Sequence, residues 1–198
     1  MTKLLLSLTS GLLLGMSLWL GPLYAQQNRT IKSFSLMQAD QTEWQASAYQ
    51  DQRALVVVFT SSHCAWATKY EERLHQLHSQ YATQQVAFVA INSNDPTMSE
   101  RDEAKLMRQI SPYPFPYLKD KDQQIAKLFK ATKNPEVFVL RPTDNDFEII
   151  YHGKIDDNPL DPAKAGNHFL EESLKAAIEG KKPEKKYSPA SGCNIRWR

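Results

Sequence analysis

Two short runs, "ALVVVFT" (Ala54 to Thr60) and "VAFVAI" (Val86 to Ile91), limit what this chain can become. Each is continuously apolar and rich in β-branched residues, with no polar alternation. Strands of that kind are covered on both faces, the usual condition of a central strand in a layered α/β domain. Between them Trp66, Tyr70, Leu74, Leu77 and Tyr81 fall four, four, three and four apart. That spacing predicts one amphipathic helix from about Ala65 to Ala82, with its stripe turned inward. Strand, crossover helix and strand make a parallel βαβ unit.

The rest of the chain extends this pattern. Ser99, with Asp102 three residues later, predicts a helix start, and Ala104, Met107 and Ile110 its inner face. "SPYPFPY" then interrupts helical structure at Pro112, Pro114 and Pro116. Ile125, Leu128 and Phe129 mark a short helix ending near Lys130. "EVFVL" (Glu136 to Leu140) and "FEIIYH" (Phe147 to His152) read as strands around the turn-rich "RPTDND", and a weaker strand signal surrounds "FSLM". Asp161 and Pro162 predict the start of a last helix. Leu170, Leu174, Ala177 and Ile178 form its stripe, and Gly180 and Pro183 stop it. The order is an α/β sandwich with no internal repeat. Residues 179–192, charged and containing Pro and Ser, read as a mobile tail.

The chain opens with "MTKLLLSLTSGLLLGMSLWLGPLYAQQ". Lys3 precedes an uncharged apolar run from Leu4 to Leu20, and "LYA" ends at Ala25. This reads as a secretory signal peptide over residues 1–25. The alternative is an uncleaved anchor, but the polar residues Gln26 to Arg29 favour cleavage. Residues 26–180 then form one domain, long enough for a core, and 181–198 a tail. The product would be exported, periplasmic or extracellular, with no stable membrane insertion. With 24 basic and 22 acidic groups in the whole chain, there is no electrostatic case for nucleic acid as a partner.

Both cysteines, Cys64 and Cys193, lie in the exported part, where a disulfide is permitted. Cys64 sits in "TSSHCAWATKY", at a strand end and a helix start. Backbone N–H groups there favour a thiolate, and a protonated His63 would add favourable charge. A thiolate that attacks a disulfide or a peroxide must then be resolved by a second thiol. Cys193 lies 13 residues beyond Gly180, a tether of up to roughly 40 Å at ~3.3 Å per residue. A domain of this length has a radius of gyration of about 16 Å, so Cys193 can reach Cys64. Ile195 and Trp197 are apolar anchors for docking it. Three outcomes stay open: a cycling pair, a permanent staple, and a Cys193 that pairs with nothing.

Other polar residues carry blander readings. His75 and His78 lack a third ligand for a metal and read as a solvated face, as do Lys69, Glu71, Glu72 and Arg73. Trp66 belongs to the inner stripe. Asp156 and Asp157 suit a turn better than a proton shuttle. No glycine-rich phosphate loop is present, so neither cofactor nor metal is expected.

"VVVFTSSHCAWATKYEERL", "VAFVAINSND", "FPYLKDKDQQIAKLFKATKNPEVFVL", "IIYHGKIDDN" and "SGCNIRW" occur in family order. In these the chain resembles the thioredoxin superfamily, and more closely its redoxin branch, the alkyl hydroperoxide reductase and thiol-specific antioxidant proteins. The resemblance implies a thioredoxin-like fold, a central mixed β-sheet flanked by helices on both faces. It implies that Cys64 faces a cis-proline loop in "KNPEVFVL", with Pro135 the cis residue. It also implies thiols and disulfides of proteins or small molecules, or peroxide, as reaction partners. Ala65 stands where the family commonly has proline, and Ala67 where the thioredoxin motif has its second cysteine. Val57 and Ser61 stand where peroxiredoxins carry proline and threonine, which weighs against a specialised peroxide pocket. The expected activity is thiol–disulfide exchange through Cys64, with Cys193 resolving. The rivals are a thiol-dependent peroxidase and a non-catalytic binding module with a structural Cys64–Cys193 disulfide.

Overall fold

A computed structural model describes residues 29–38 and 42–198. The signal-peptide segment lies outside the described residues. The strands are β1 (Arg29–Lys32), β2 (Ser35–Met37), β3 (Glu43–Gln45), β4 (Ala54–Phe59), β5 (Val86–Asn92), β6 (Tyr117–Lys119), β7 (Lys133–Asn134), β8 (Glu136–Pro142), β9 (Asp146–Gly153) and β10 (Cys193–Asn194). The helices are α1 (Ala65–Thr68), α2 (Glu71–Tyr81), α3 (Ala104–Ile110), α4 (Gln124–Phe129) and α5 (Phe169–Ile178).

Six strands form the main sheet in the order β1-β9-β8-β4-β5-β6. β4 and β6 both run parallel to β5, while β8 and β9 close the sheet antiparallel. The two apolar runs are the central strands, and β4 is buried at every position. Its side chains alternate between two cores. Ala54, Val56 and Val58 meet Leu74 and Leu77 of α2 and Leu170 and Leu174 of α5. Leu55, Val57 and Phe59 meet Ile125 and Phe129 of α4 on the other face. This is the thioredoxin-like arrangement, a mixed sheet covered on both sides.

Several local expectations are corrected. The helix predicted from Ala65 to Ala82 breaks after one turn, with Tyr70 at φ −98° and ψ −5°. The break rotates α1 away from the stripe of α2, so Trp66 is 48% exposed instead of packed inside. β6 begins at Tyr117, the last residue of the proline-rich stretch read as a breaker; it is an edge strand, where proline nearby costs little. Ile110, placed on the inner face of its helix, is exposed. Asp161 caps a single 3-10 turn at Pro162–Lys164, and the last helix starts at Phe169.

The supposed solvated face of α2 is also not solvated throughout. The rings of His75 and His78 lie against Tyr113, Phe88 and Phe115. Arg73 pairs with the buried Asp156, which also accepts a 2.9 Å hydrogen bond from Tyr70. Glu71 accepts from Ser111 over 2.5 Å.

The tail, expected to be mobile, is laid along the domain. His152 N–H donates to the Lys186 carbonyl and Ser188 N–H to that of His152. Ser188 is buried, with its hydroxyl 2.6 Å from that of Tyr151, and it accepts from the Lys154 N–H. Two glycines admit the segment. A Cβ on Gly153 (φ +135°) would stand 1.9 Å from the Ser188 carbonyl oxygen, and one on Gly192 (φ +150°) 2.2 Å from that of Asn134. Composition pointed to disorder because charged and Pro-containing segments bury little apolar surface. Here main-chain pairing and a buried serine hold the segment instead.

Candidate redox site

β4 delivers the chain to a tight turn, Ser61 to Cys64, in which the Cys64 N–H donates to the Ser61 carbonyl over 3.0 Å. Cys64 then occupies the N-cap position of α1 and is 2% exposed. Its sulfur is bonded to that of Cys193, 129 residues away in sequence, with the two Cα atoms 6.0 Å apart. The bond joins the tail to the first turn after the central strand, across nearly the whole length of the domain.

The loop facing this pair carries a cis peptide between Asn134 and Pro135, at the proline expected to be cis. Asn134 belongs to β7, which pairs antiparallel with β10 so that Cys193 lies opposite Asn134 and Asn194 opposite Lys133. The Asn134 carbonyl oxygen lies 3.1 Å from the Cys64 sulfur. In the oxidised form this is a close contact; after reduction the thiol can donate to the same oxygen.

A buried polar network supports the site. Asp102, fully buried, accepts from the Ser61 hydroxyl and the Asn92 amide, each at 2.8 Å, and from the Asn94 amide at 3.3 Å. The Ser61 hydroxyl oxygen accepts from the His63 N–H and from the Asn94 amide. The Asn94 side-chain oxygen accepts from the Asn134 amide at 3.2 Å and from the Arg196 N–H at 3.0 Å. One chain of hydrogen bonds thus runs from the turn ahead of Cys64 to the cis-proline loop and the tail. Lys119, which donates to Asn92, has its pKa pushed down to about 8 by burial, with Asp102 and Glu103 acting the other way.

His63 is exposed, and its ring nitrogen lies 3.1 Å from the Ser99 hydroxyl. Ile195 is a buried anchor, 3% exposed, whereas Trp197, expected to dock as well, is 43% exposed. Among the described residues no three His, Cys, Asp or Glu side chains are grouped to hold a metal ion.

Asn94, Asp102 and Asn134 were missed as site residues by sequence reasoning. A signal existed in "INSND": four polar residues at the carboxyl end of a covered strand, beside the strand that presents the cysteine. That end of an α/β sheet is where ligands gather.

The AhpC/TSA family model matches residues 28–156. The chain belongs to the AhpC/TSA family. The match takes in Cys64, the polar network and cis Pro135, and ends before the tail that carries Cys193. Among solved structures, an uncharacterized conserved protein from Geobacillus kaustophilus is 28% identical with a TM-score of 0.77, covering 86% of this chain and 92% of that one. A hypothetical protein from Sinorhizobium meliloti 1021 is 29% identical with a TM-score of 0.75, covering 86% and 94%. A putative thiol:disulfide interchange protein DsbE from Chlorobium tepidum, 18% identical with a TM-score of 0.58 over 76% of this chain and 96% of that one, shares the fold. No curated protein matches the chain.

Proposed function

We propose that the protein is an exported thiol–disulfide oxidoreductase that cycles the Cys64–Cys193 bond. The observation carrying this reading is the seat of Cys193: it is bonded to Cys64 and strand-paired with the residue preceding a cis proline. A partner polypeptide approaching Cys64 would have to occupy the same place. Export rests on the signal-like segment and on a disulfide, which persists in oxidising compartments. Residues 26–180 are then the working domain and 181–198 an arm that brings the second thiol.

In the reduced protein the Cys64 thiolate attacks one sulfur of a partner's disulfide. A Cys64–partner bond forms, and the partner's other sulfur leaves as a thiolate that takes up a proton. The Cys193 thiolate then attacks the Cys64 sulfur, reforming the internal bond and releasing the partner's second thiol. Two electrons have moved from the cysteine pair to the partner. In the opposite direction an external thiolate meets Cys193, the more exposed residue of the pair, and Cys64 leaves. Cys64 holds the N-cap position of α1, where the start of a helix favours a thiolate. Pro135 shapes the loop against which the partner lies, and His63 borders the turn that presents the thiol.

A peroxidase using the same cysteine is disfavoured by one contact. The Ser61 hydroxyl, at the place where peroxiredoxins carry threonine, gives its hydrogen to Asp102 and has none left to donate to a peroxide. The stapled binding module is favoured by the burial of Cys64. The test is thiol counting by mass spectrometry across glutathione redox buffers, with trapping of partner disulfides by Cys193→Ser. A pair that opens in mild buffers, together with accumulated Cys64 adducts, supports turnover. A pair that stays closed under strong reductant, with no adducts, overturns it in favour of the staple.

A further inference from the structure

The tail does more than bring a thiol: its last residues fill a groove whose contacts discriminate by position. Cys193 and Ile195 turn inward with the exposed Asn194 between them, the alternation of a strand added to a sheet edge, and the exposed Trp197 lies beyond it. Ile195 joins the apolar cluster containing Phe59, Phe129 and Ala131, and its N–H donates to the Thr132 carbonyl over 2.9 Å. Beyond it the Arg196 main chain is held on both sides. Its N–H donates to the Asn94 side chain at 3.0 Å, and its carbonyl accepts from the Asp95 N–H at 2.8 Å and the Gln123 amide at 2.7 Å. Ahead of Cys193 any side chain is excluded, because a Cβ on Gly192 would meet the Asn134 carbonyl at 2.2 Å.

These contacts read two side chains and one absence of a side chain; the remaining contacts are to main chain and accept any residue. We propose that this groove selects extended protein segments of the pattern Gly-Cys-x-aliphatic, laid antiparallel to β7, as redox partners of Cys64, and that the tail is their resident competitor. The inference rests on the cycling of Cys64 proposed above and adds the partner's chemistry. The cysteine lies opposite Asn134, the glycine before it clears the Asn134 carbonyl, and the branched or unbranched aliphatic side chain two residues later enters the Ile195 socket. Binding of such a segment requires the tail to leave, since both use the same N–H and carbonyl groups of β7, Asn94 and Asp95.

The experiment uses the reduced full chain carrying Cys193→Ser. The probes are peptides with the sequence Ser-Gly-Cys-Asn-Ile-Arg-Trp, or with Asp for Ile or Ala for Gly. Each is activated at cysteine as the mixed disulfide with a nitrothiobenzoate. Cys64 attacks the peptide sulfur, forms the peptide–Cys64 bond and releases the coloured thiolate. Each rate is divided by that of the same peptide with glutathione, and a small activated cysteine ester serves as reference. The expected result is that the parent peptide outruns the Asp peptide by about tenfold, the value of one buried aliphatic group, and the Ala peptide by about fivefold or more, from the backbone strain its Cβ imposes. In the Cys193→Ser, Ile195→Asp protein, whose tail has lost its anchor, the parent peptide should react several-fold faster still. Equal normalised rates for all peptides, with the small ester still reacting, overturn the groove's selectivity and leave the exchange activity standing. No reaction with the ester either overturns the exchange reading itself, and this inference with it.

Discussion

Ser61 donates its hydroxyl hydrogen to Asp102 over 2.8 Å, joining the turn that presents Cys64 to a carboxylate buried 41 residues further along. The same carboxylate accepts from Asn92 and Asn94, and Asn94 reaches both the cis-proline loop and the tail. The site is therefore held by one polar cluster below the sulfur atoms, and that cluster can be broken at its centre.

Asp102→Asn places an amide among three donors, so at least one donor faces another across the core. The variant should lose about 1–3 kcal/mol, the cost of leaving a buried donor unsatisfied. Urea unfolding of the oxidised proteins measures it, and an unchanged midpoint would contradict the network.

Gly192→Ala forces a Cβ against the Asn134 carbonyl in a backbone region that L-residues avoid. The strain, about 1–3 kcal/mol, falls on the docked tail. The Cys64–Cys193 bond should open at five- to hundredfold milder glutathione ratios, while far-ultraviolet circular dichroism stays unchanged. Free-thiol counting across redox buffers reports the shift.

Arg73→Met removes the cation from Asp156, a carboxylate left with Tyr70 and the Asn158 N–H as donors. Breaking a buried ion pair from one side should cost about 3 kcal/mol. Tyr70→Phe should cost about 1.5–2 kcal/mol, since it removes one neutral donor to a charged acceptor. Thermal and urea unfolding distinguish the two. Neither substitution touches the disulfide, so thiol counting should match the wild type.

Lys119 gives a pH signature of known sign. Its folded pKa, lowered by burial, is about 8, against 10.5 for an unperturbed lysine. Below pH 8 folding must bury a charged amine, and the penalty is fully present. Between pH 8 and 10.5 the unfolded chain holds a proton that the folded chain has released, so stability rises with pH through that window. Relative to Lys119→Met, the wild type should therefore gain stability from pH 8 to 10.5. A flat difference would mean the amine is solvated.

What the sequence determined follows from local pattern. Continuous apolar runs specify strands covered on both faces, and the Leu74–Leu77–Tyr81 spacing specifies the helix that covers one of them. The placement of Cys64 at a strand end and Pro135 in its loop was legible through a recurring motif. What tertiary structure decided depends on contacts that no local pattern encodes. Trp66 leaves the core because Tyr70 breaks the helix, a matter of packing against Asp156. The polar tail is fixed because Gly153 and Gly192 let main chain approach main chain, and Asn94 and Asp102 matter because distant loops converge on them. Apolar periodicity is written along the chain, since each residue's side follows from its neighbours' geometry. Hydrogen bonds between residues 40 to 102 apart are written only in the fold.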